Sequence, residues 1–236
     1  MYNLNISQAE KHSLVNNLLL TKDYEHIFIG PEFVKNFYLR LCPKSKFITL
    51  PDKYFLSIRD YNRLMLSPWF YLLFKRFSHI LICQLDVCIM TEIKLNKLTK
   101  YDYVGAPCTF NAGETQFVGN GGFSLRNVTS FTEALSKGFN AVEISLRKCN
   151  TFRNFLHYFL NKVGLYQFYI ALGYINEDFI VSSYLKKPLK KAPLATAIRF
   201  CQDAVIDEAI IPSAYHGWEK NLTGDLKNKC WIQIKN

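Results

Sequence analysis

The chain has 236 residues, of which 49% are hydrophobic and 15% aromatic, so it can bury a substantial core and a wholly disordered protein is excluded. Eleven Gly and eight Pro exclude collagen-like and low-complexity classes, and no apolar run approaches the ~18 residues of a membrane-spanning helix. The 29 Lys and Arg against 19 Asp and Glu give a net charge of +10, a surface that attracts nucleic acid, nucleotide phosphates or an anionic membrane.

Met1–Ile6 shows neither the basic nor the apolar region of a secretory signal. Seven cysteines, an odd number with no CxxC pair, read as reduced, buried thiols. Both point to a cytoplasmic protein. Ser7-Gln-Ala-Glu10 is a capping box, followed by a helical stripe of Leu14, Val15, Leu18 and Leu19. His26–Pro31 and Lys46–Pro51 read as short strands, and Arg59–Lys75 as a helix broken or restarted at Pro68. Ser78–Met90 reads as one central strand covered on both faces. This order predicts a largely parallel α/β sheet, in which ligands bind beyond the carboxyl ends of the strands. Gln84 and Asp86 are the polar residues near that end. Tyr101–Pro107 is strand-like, Gly119–Arg126 is a glycine-dense loop, and Thr129–Lys137 is a short helix. Leu146–Leu172 is aromatic and basic. Asn176 caps a helix whose first turn holds Glu177 and Asp178. Thr196–Ala204 alternates, and no linker divides the chain into two domains.

Each candidate site residue also has an ordinary structural reading. Asp86 at a strand end is costly to bury unless paired or metal-bound, but it can also cap a turn. Gly121 and Gly122 allow close backbone approach to a ligand or merely a turn, and they match neither a dinucleotide fingerprint nor a phosphate-binding loop. Glu177 and Asp178 can raise one another's pKa and supply a general base, or simply favour the helix dipole. His216 can complete a metal site or be structural. Trp218 offers a sugar-stacking face or core volume. The basic, aromatic stretch 147–191 could line an acceptor groove, rest on an anionic bilayer or be a packed helix with solvated lysines. No nucleic-acid-binding pattern occurs.

The order of these motifs is more informative than any one of them. Tyr61-Asn-Arg-Leu64, Gln84-Leu-Asp86, Asp102–Pro107, Gly119–Arg126, Asn176-Glu-Asp178 and Pro212–Trp218 follow one another. In this the chain resembles a family of bacterial proteins of glycosyltransferase type long catalogued only as a domain of unknown function. More distantly it is similar to β-1,4-galactosyltransferases. The resemblance implies a single GT-A-like, Rossmann-related domain over residues 1–236, with a mostly parallel central sheet flanked by helices. Its donor-binding half would be about 1–110 and its acceptor-side half about 111–236. It implies a metal-assisted, inverting hexosyltransferase of surface polysaccharide synthesis. The donor would be a nucleotide-sugar, a UDP-hexose by expectation, and the acceptor a glycan or lipid-linked hydroxyl. The cofactor would be Mn²⁺ or Mg²⁺, held by Asp86 and His216. Asp86, Gln84, Asn120, Gly121 and Gly122 would bind the donor. Asp178 would be the catalytic base with Glu177 beside it, and Trp218 and Phe123 would bind the acceptor. The stretch 147–191 would give peripheral contact with the inner membrane surface.

Two departures stand against the family pattern. Gln84 occupies the place of the first carboxylate of an Asp-x-Asp element. The first nucleotide-binding strand, which such folds place before the capping-box helix, is missing or supplied by residues upstream. Two other classes therefore stay open: a catalytically inactive module of the same fold that binds a glycan or partner, and a basic polyanion-binding protein.

Overall fold

The structure is a computed structural model describing residues 5–109, 115–140, 175–203 and 209–232, with single residues and pairs between 155 and 173. Helix α1 (Gln8–Leu20) starts as its sequence requires. The Glu10 amide donates to Ser7 Oγ at 3.1 Å and the Ser7 amide donates to Glu10 Oε2 at 2.7 Å. Strand β1 (Ile27–Gly30), helix α2 (Glu32–Leu41) and strand β2 (Lys46–Thr49) form a βαβ unit with the strands parallel. The intervening helix escapes a reading based on strands alone; Pro31 opens it and Val34 and Tyr38 are its buried face. Pro68 restarts the next helix rather than kinking it, giving α3 (Ile58–Met65) and α4 (Pro68–Leu72).

The expected central strand is two strands in different sheets. Strand β3 (His79–Cys83) ends before a turn at Gln84–Asp86, and β4 (Val87–Ile89) follows. The remaining elements in order are β5 (Tyr103–Gly105), β6 (Pro107–Thr109), β7 (Thr115–Val118), β8 (Phe123–Asn127), α5 (Val128–Lys137), α6 (Glu177–Ser183), α7 (Leu194–Phe200), β9 (Cys201–Gln202), β10 (Ala214–His216), α8 (Trp218–Asn221) and α9 (Gly224–Ile232). Asn176 precedes α6 without a side-chain cap, and the alternating segment after Ala195 is mostly helix.

The fold is mixed α/β, but the mostly parallel central sheet expected from the sequence is not what forms. Strand β8 lies between β3 and β5 and is antiparallel to both, and β6 pairs antiparallel with β7. Between β5 and β8 no crossover helix is described that would bring the chain back parallel, and β8 enters between β3 and β5 running opposite to both. The described parallel pairs are β1 with β2 and β9 with β10, while β10 is antiparallel to β4.

Strand β8 is buried on both faces. Phe123 and Leu125 join Val87, Val104 and Phe200 in one core cluster. On the other face Arg126 stands over the rings of Tyr103 and Phe131, which belong to the largest cluster with Leu64, Phe70 and Ile180. Among the described residues, no strand flanks the second edge of either β1 or β3. Both line one cavity of about 1500 Å³. That is larger than the ~300–1,000 Å³ usual for ligand sites. No described helix is long and apolar enough to cross a membrane.

Candidate functional site

Helix α1 fixes the first wall of the site. Asn17 Nδ2 donates to the Val87 carbonyl at 2.7 Å, and the Ile89 amide donates to Asn17 Oδ1 at 2.9 Å. Asn16 Nδ2 donates to the Ile89 carbonyl at 2.7 Å. Two buried asparagines thus satisfy one edge of β4 as a neighbouring strand would. The other edge pairs with β10 in a register that sets His216 opposite Val87, and the Gly217 amide donates to the Asp86 carbonyl at 2.9 Å. Two segments distant in sequence therefore bring Asp86 and His216 together. His216 Nε2 lies 3.5 Å from Asp86 Oδ1 and 3.2 Å from Gln84 Oε1.

Asp203 is the residue that motif reading missed. His216 Nδ1 donates to Asp203 Oδ1 at 2.7 Å, and Asn120 Nδ2 donates to Asp203 Oδ2 at 2.6 Å. Asn120 in turn accepts the Gly122 amide through Oδ1 at 2.8 Å. One carboxylate therefore ties the imidazole to the glycine loop. Its only sequence signal is an acid after a short apolar segment, which is too common to single out. Burial disfavours the charged His216, but the hydrogen bonds it donates to Asp203 and Asp86 outweigh this and raise its pKa to about 10. Burial likewise works against the Asp86 carboxylate, yet His216 holds its pKa below the ordinary value.

The glycine loop closes the opposite wall. A Cβ on Gly121 would collide with Glu177 Oε1, and one on Gly122 would collide with His216 Nε2. The two glycines are required because an acid and an imidazole press against the loop backbone. Beneath it lies a buried ion pair, with Arg126 Nη2 donating to Glu177 Oε1 at 2.9 Å. Arg126 also donates to Ser124 Oγ, Tyr71 Oη and the Gly121 carbonyl. Glu177 Oε2 is buried with no hydrogen-bond partner among the described residues. Burial raises the Glu177 pKa although Arg126 opposes the shift. Asp178 is half-buried and accepts amides from Phe179 and Gly121; burial outweighs these bonds and raises its pKa.

Gln84, Asp86, Asn120, Gly121, Gly122, Glu177, Asp178 and His216 all line the large cavity. The expected acceptor platform does not. Trp218 is 1% exposed, donates Nε1 to Ser13 Oγ at 2.8 Å and packs on Trp231. Phe123 is fully buried and stacked on Phe200. Both rings are core, so neither can present a face to a sugar. Most of the basic stretch 147–191 before Ile175 lies outside the described residues. Among the described residues, no group of three His, Cys, Asp or Glu side chains is arranged to hold a metal ion. Asp86 and Asp203 face opposite nitrogens of one ring, which keeps both from reaching a single cation together with His216.

Residues 44–216 match the family described as a protein of unknown function, DUF5672, and the chain belongs to that family. No curated protein and no solved structure matches the chain.

Proposed function

We propose that this member of the DUF5672 family is a glycosyltransferase of GT-A type. It would move a hexose from a nucleotide-diphosphate sugar to an acceptor hydroxyl. The observation that carries the reading is the convergence of Asp86, Gln84, His216, the Gly121–Gly122 turn and Asp178 on one cavity. Glu177 Oε2 adds a buried acceptor without a hydrogen-bond partner among the described residues, suited to a sugar hydroxyl.

A divalent cation fits the donor set, though sparsely. Asp86 Oδ1, Gln84 Oε1 and, once deprotonated, His216 Nε2 offer two oxygens and one nitrogen. A diphosphate and water complete such a site. Asp203 on Nδ1 would hold the ring with Nε2 turned to the cation, as carboxylates behind metal-bound histidines do. When bound, the cation would offset charge developing on the leaving diphosphate.

The chain's own residues supply the rest. Asp178 takes the proton of the acceptor hydroxyl, and its raised pKa makes it a better base than an exposed carboxylate. The hydroxyl oxygen forms a bond to the anomeric carbon as the bond from that carbon to the diphosphate oxygen breaks. The nucleoside diphosphate leaves with the electron pair, and the centre inverts. Arg126 neutralises Glu177 and fixes the loop carbonyl, so the loop stays in place while Asp178 works.

A second reading is favoured by Gln84, whose amide brings no charge to the site: a binding module of the same fold without turnover. Incubating the full chain with a panel of nucleotide-sugars and Mn²⁺, and following release of nucleoside diphosphate, separates the two. Release from one donor above the others supports transfer. Thermal stabilisation without release supports the module. Neither effect with any donor sinks both.

A further inference from the structure

One face beside the cavity is apolar outside and basic around its rim. Helix α4 buries Phe70 and Tyr71, while Trp69, Leu72 and Leu73, spaced i, i+3 and i+4, are 37%, 51% and 42% exposed. The Trp69 ring packs on Tyr54 at 5.5 Å, which joins α4 to the 3₁₀ turn Asp52–Tyr54. Just beyond that turn Leu56 is 69% and Ile58 75% exposed. A single exposed leucine needs no explanation, but five large apolar residues on adjoining turns do.

The same segments carry Lys53, Arg59, Arg63, Lys75 and Arg76 against Asp52, Asp60 and the Glu25 that meets Arg76, which leaves this face basic. Asp60 is buried and belongs to the N-cap of α3, where Ser57 Oγ donates to it at 2.5 Å. It lies 4.0 Å from Arg59 and 3.7 Å from Arg63. Arg76 pairs with Glu25. Lys53 and Lys75 are exposed.

We propose that this face, built from Leu56, Ile58, Trp69, Leu72 and Leu73, docks on an anionic lipid bilayer. A short helix with its apolar side outward, a Trp–Tyr pair at its edge and long basic side chains around it matches the interfacial zone of a membrane. The charge is complementary to anionic headgroups, which attract Lys and Arg lying close to the bilayer surface. A second copy is the poorer occupant. A two-fold contact through this face would bring two basic rims together. The surface is distinct from the 147–191 stretch that the sequence pointed to. The docking stands whether or not the cavity transfers sugar. Tyr54 and Ile58 also line the cavity, so a docked protein would hold lipid-borne groups at its mouth.

The test is co-sedimentation of the full chain with vesicles of phosphatidylcholine alone and of phosphatidylcholine mixed with phosphatidylglycerol. Binding to the mixed vesicles, weakened by salt and weak to the neutral ones, is expected. The variant Leu72→Ser/Leu73→Ser touches only exposed side chains and should bind at least tenfold more weakly with an unchanged melting temperature. Lys75→Glu, a second variant outside the core, should weaken binding to mixed vesicles only. No binding of the wild type to mixed vesicles overturns the proposal. So does equal binding by the Leu variant, which would assign the effect to charge alone. A dimer in light scattering that the Leu variant disperses would instead make this face a contact between copies, and would also overturn it.

Discussion

His216 donates Nδ1 to Asp203 at 2.7 Å while its Nε2 faces Asp86 at 3.5 Å, so one imidazole stands between two carboxylates. Its folded pKa is raised to about 10 from an ordinary 6.5. A raised pKa means that the folded state holds the proton more tightly than the unfolded chain. The stabilisation is therefore fully present below about 6.5 and is lost as pH climbs to about 10. In protein treated with a chelator, urea unfolding across this window should show stability falling with pH. His216→Gln should flatten that slope, and Asp203→Asn should move the imidazole titration seen by NMR to lower pH. A slope identical in wild type and His216→Gln would refute the assignment.

The Arg126–Glu177 pair is buried at both ends. Removing one partner leaves the other charge uncompensated, which costs ~3–5 kcal/mol. Glu177→Ala should lower the urea midpoint accordingly. Arg126→Met combined with Glu177→Ala should lose less than the sum of the two single changes, because neither charge is then stranded.

Gly122→Ala places a methyl group against His216 Nε2. The imidazole must move away from Asp86 and Gln84, and overpacking of this kind costs ~1–3 kcal/mol. Thermal melts should show the loss. Calorimetry with a nucleoside diphosphate and Mn²⁺ should show weaker binding than in wild type, beyond what Gly138→Ala produces, where the added methyl group meets no atom within 4 Å and only the positive φ is strained.

Asp178→Asn removes the base and keeps the shape. Turnover should fall by ~10²–10⁴, the usual contribution of a positioned general base, with donor binding nearly unchanged. Turnover equal to wild type would take Asp178 out of the mechanism.

In β3 the register directs Ile80, Ile82 and Gln84 to hydrogen bonds with the β8 side, where the Gln84 amide donates to Gly122 at 2.9 Å. Leu81 and Cys83 turn their backbone groups to the other edge, which no described strand flanks. Hydrogen exchange should therefore alternate along β3, slow at Ile80 and Ile82 and fast at Leu81 and Cys83. Uniform protection would show that this edge is covered.

Local order was written in the sequence wherever neighbouring residues alone decide it. The capping box at Ser7 and Glu10, the restart at Pro68 and the acidic first turn at Glu177 and Asp178 all read correctly, because a cap or a fixed φ acts over three or four residues. The order of motifs also singled out Asp86, the glycine loop, Asp178 and His216 as candidates. Tertiary structure decided the rest. An apolar run from Ser78 to Met90 does not reveal that it divides between two sheets, because hydrophobicity marks burial and not the identity of the partner strand. Trp218 and Phe123 carry the same side chains whether they line a groove or fill a core, and only packing settled that they are core. Asp203 and Arg126 became visible as parts of the site only when folding placed each against a charge on another element, 13 and 51 residues away, since Coulomb and hydrogen-bond partners are chosen by distance in space.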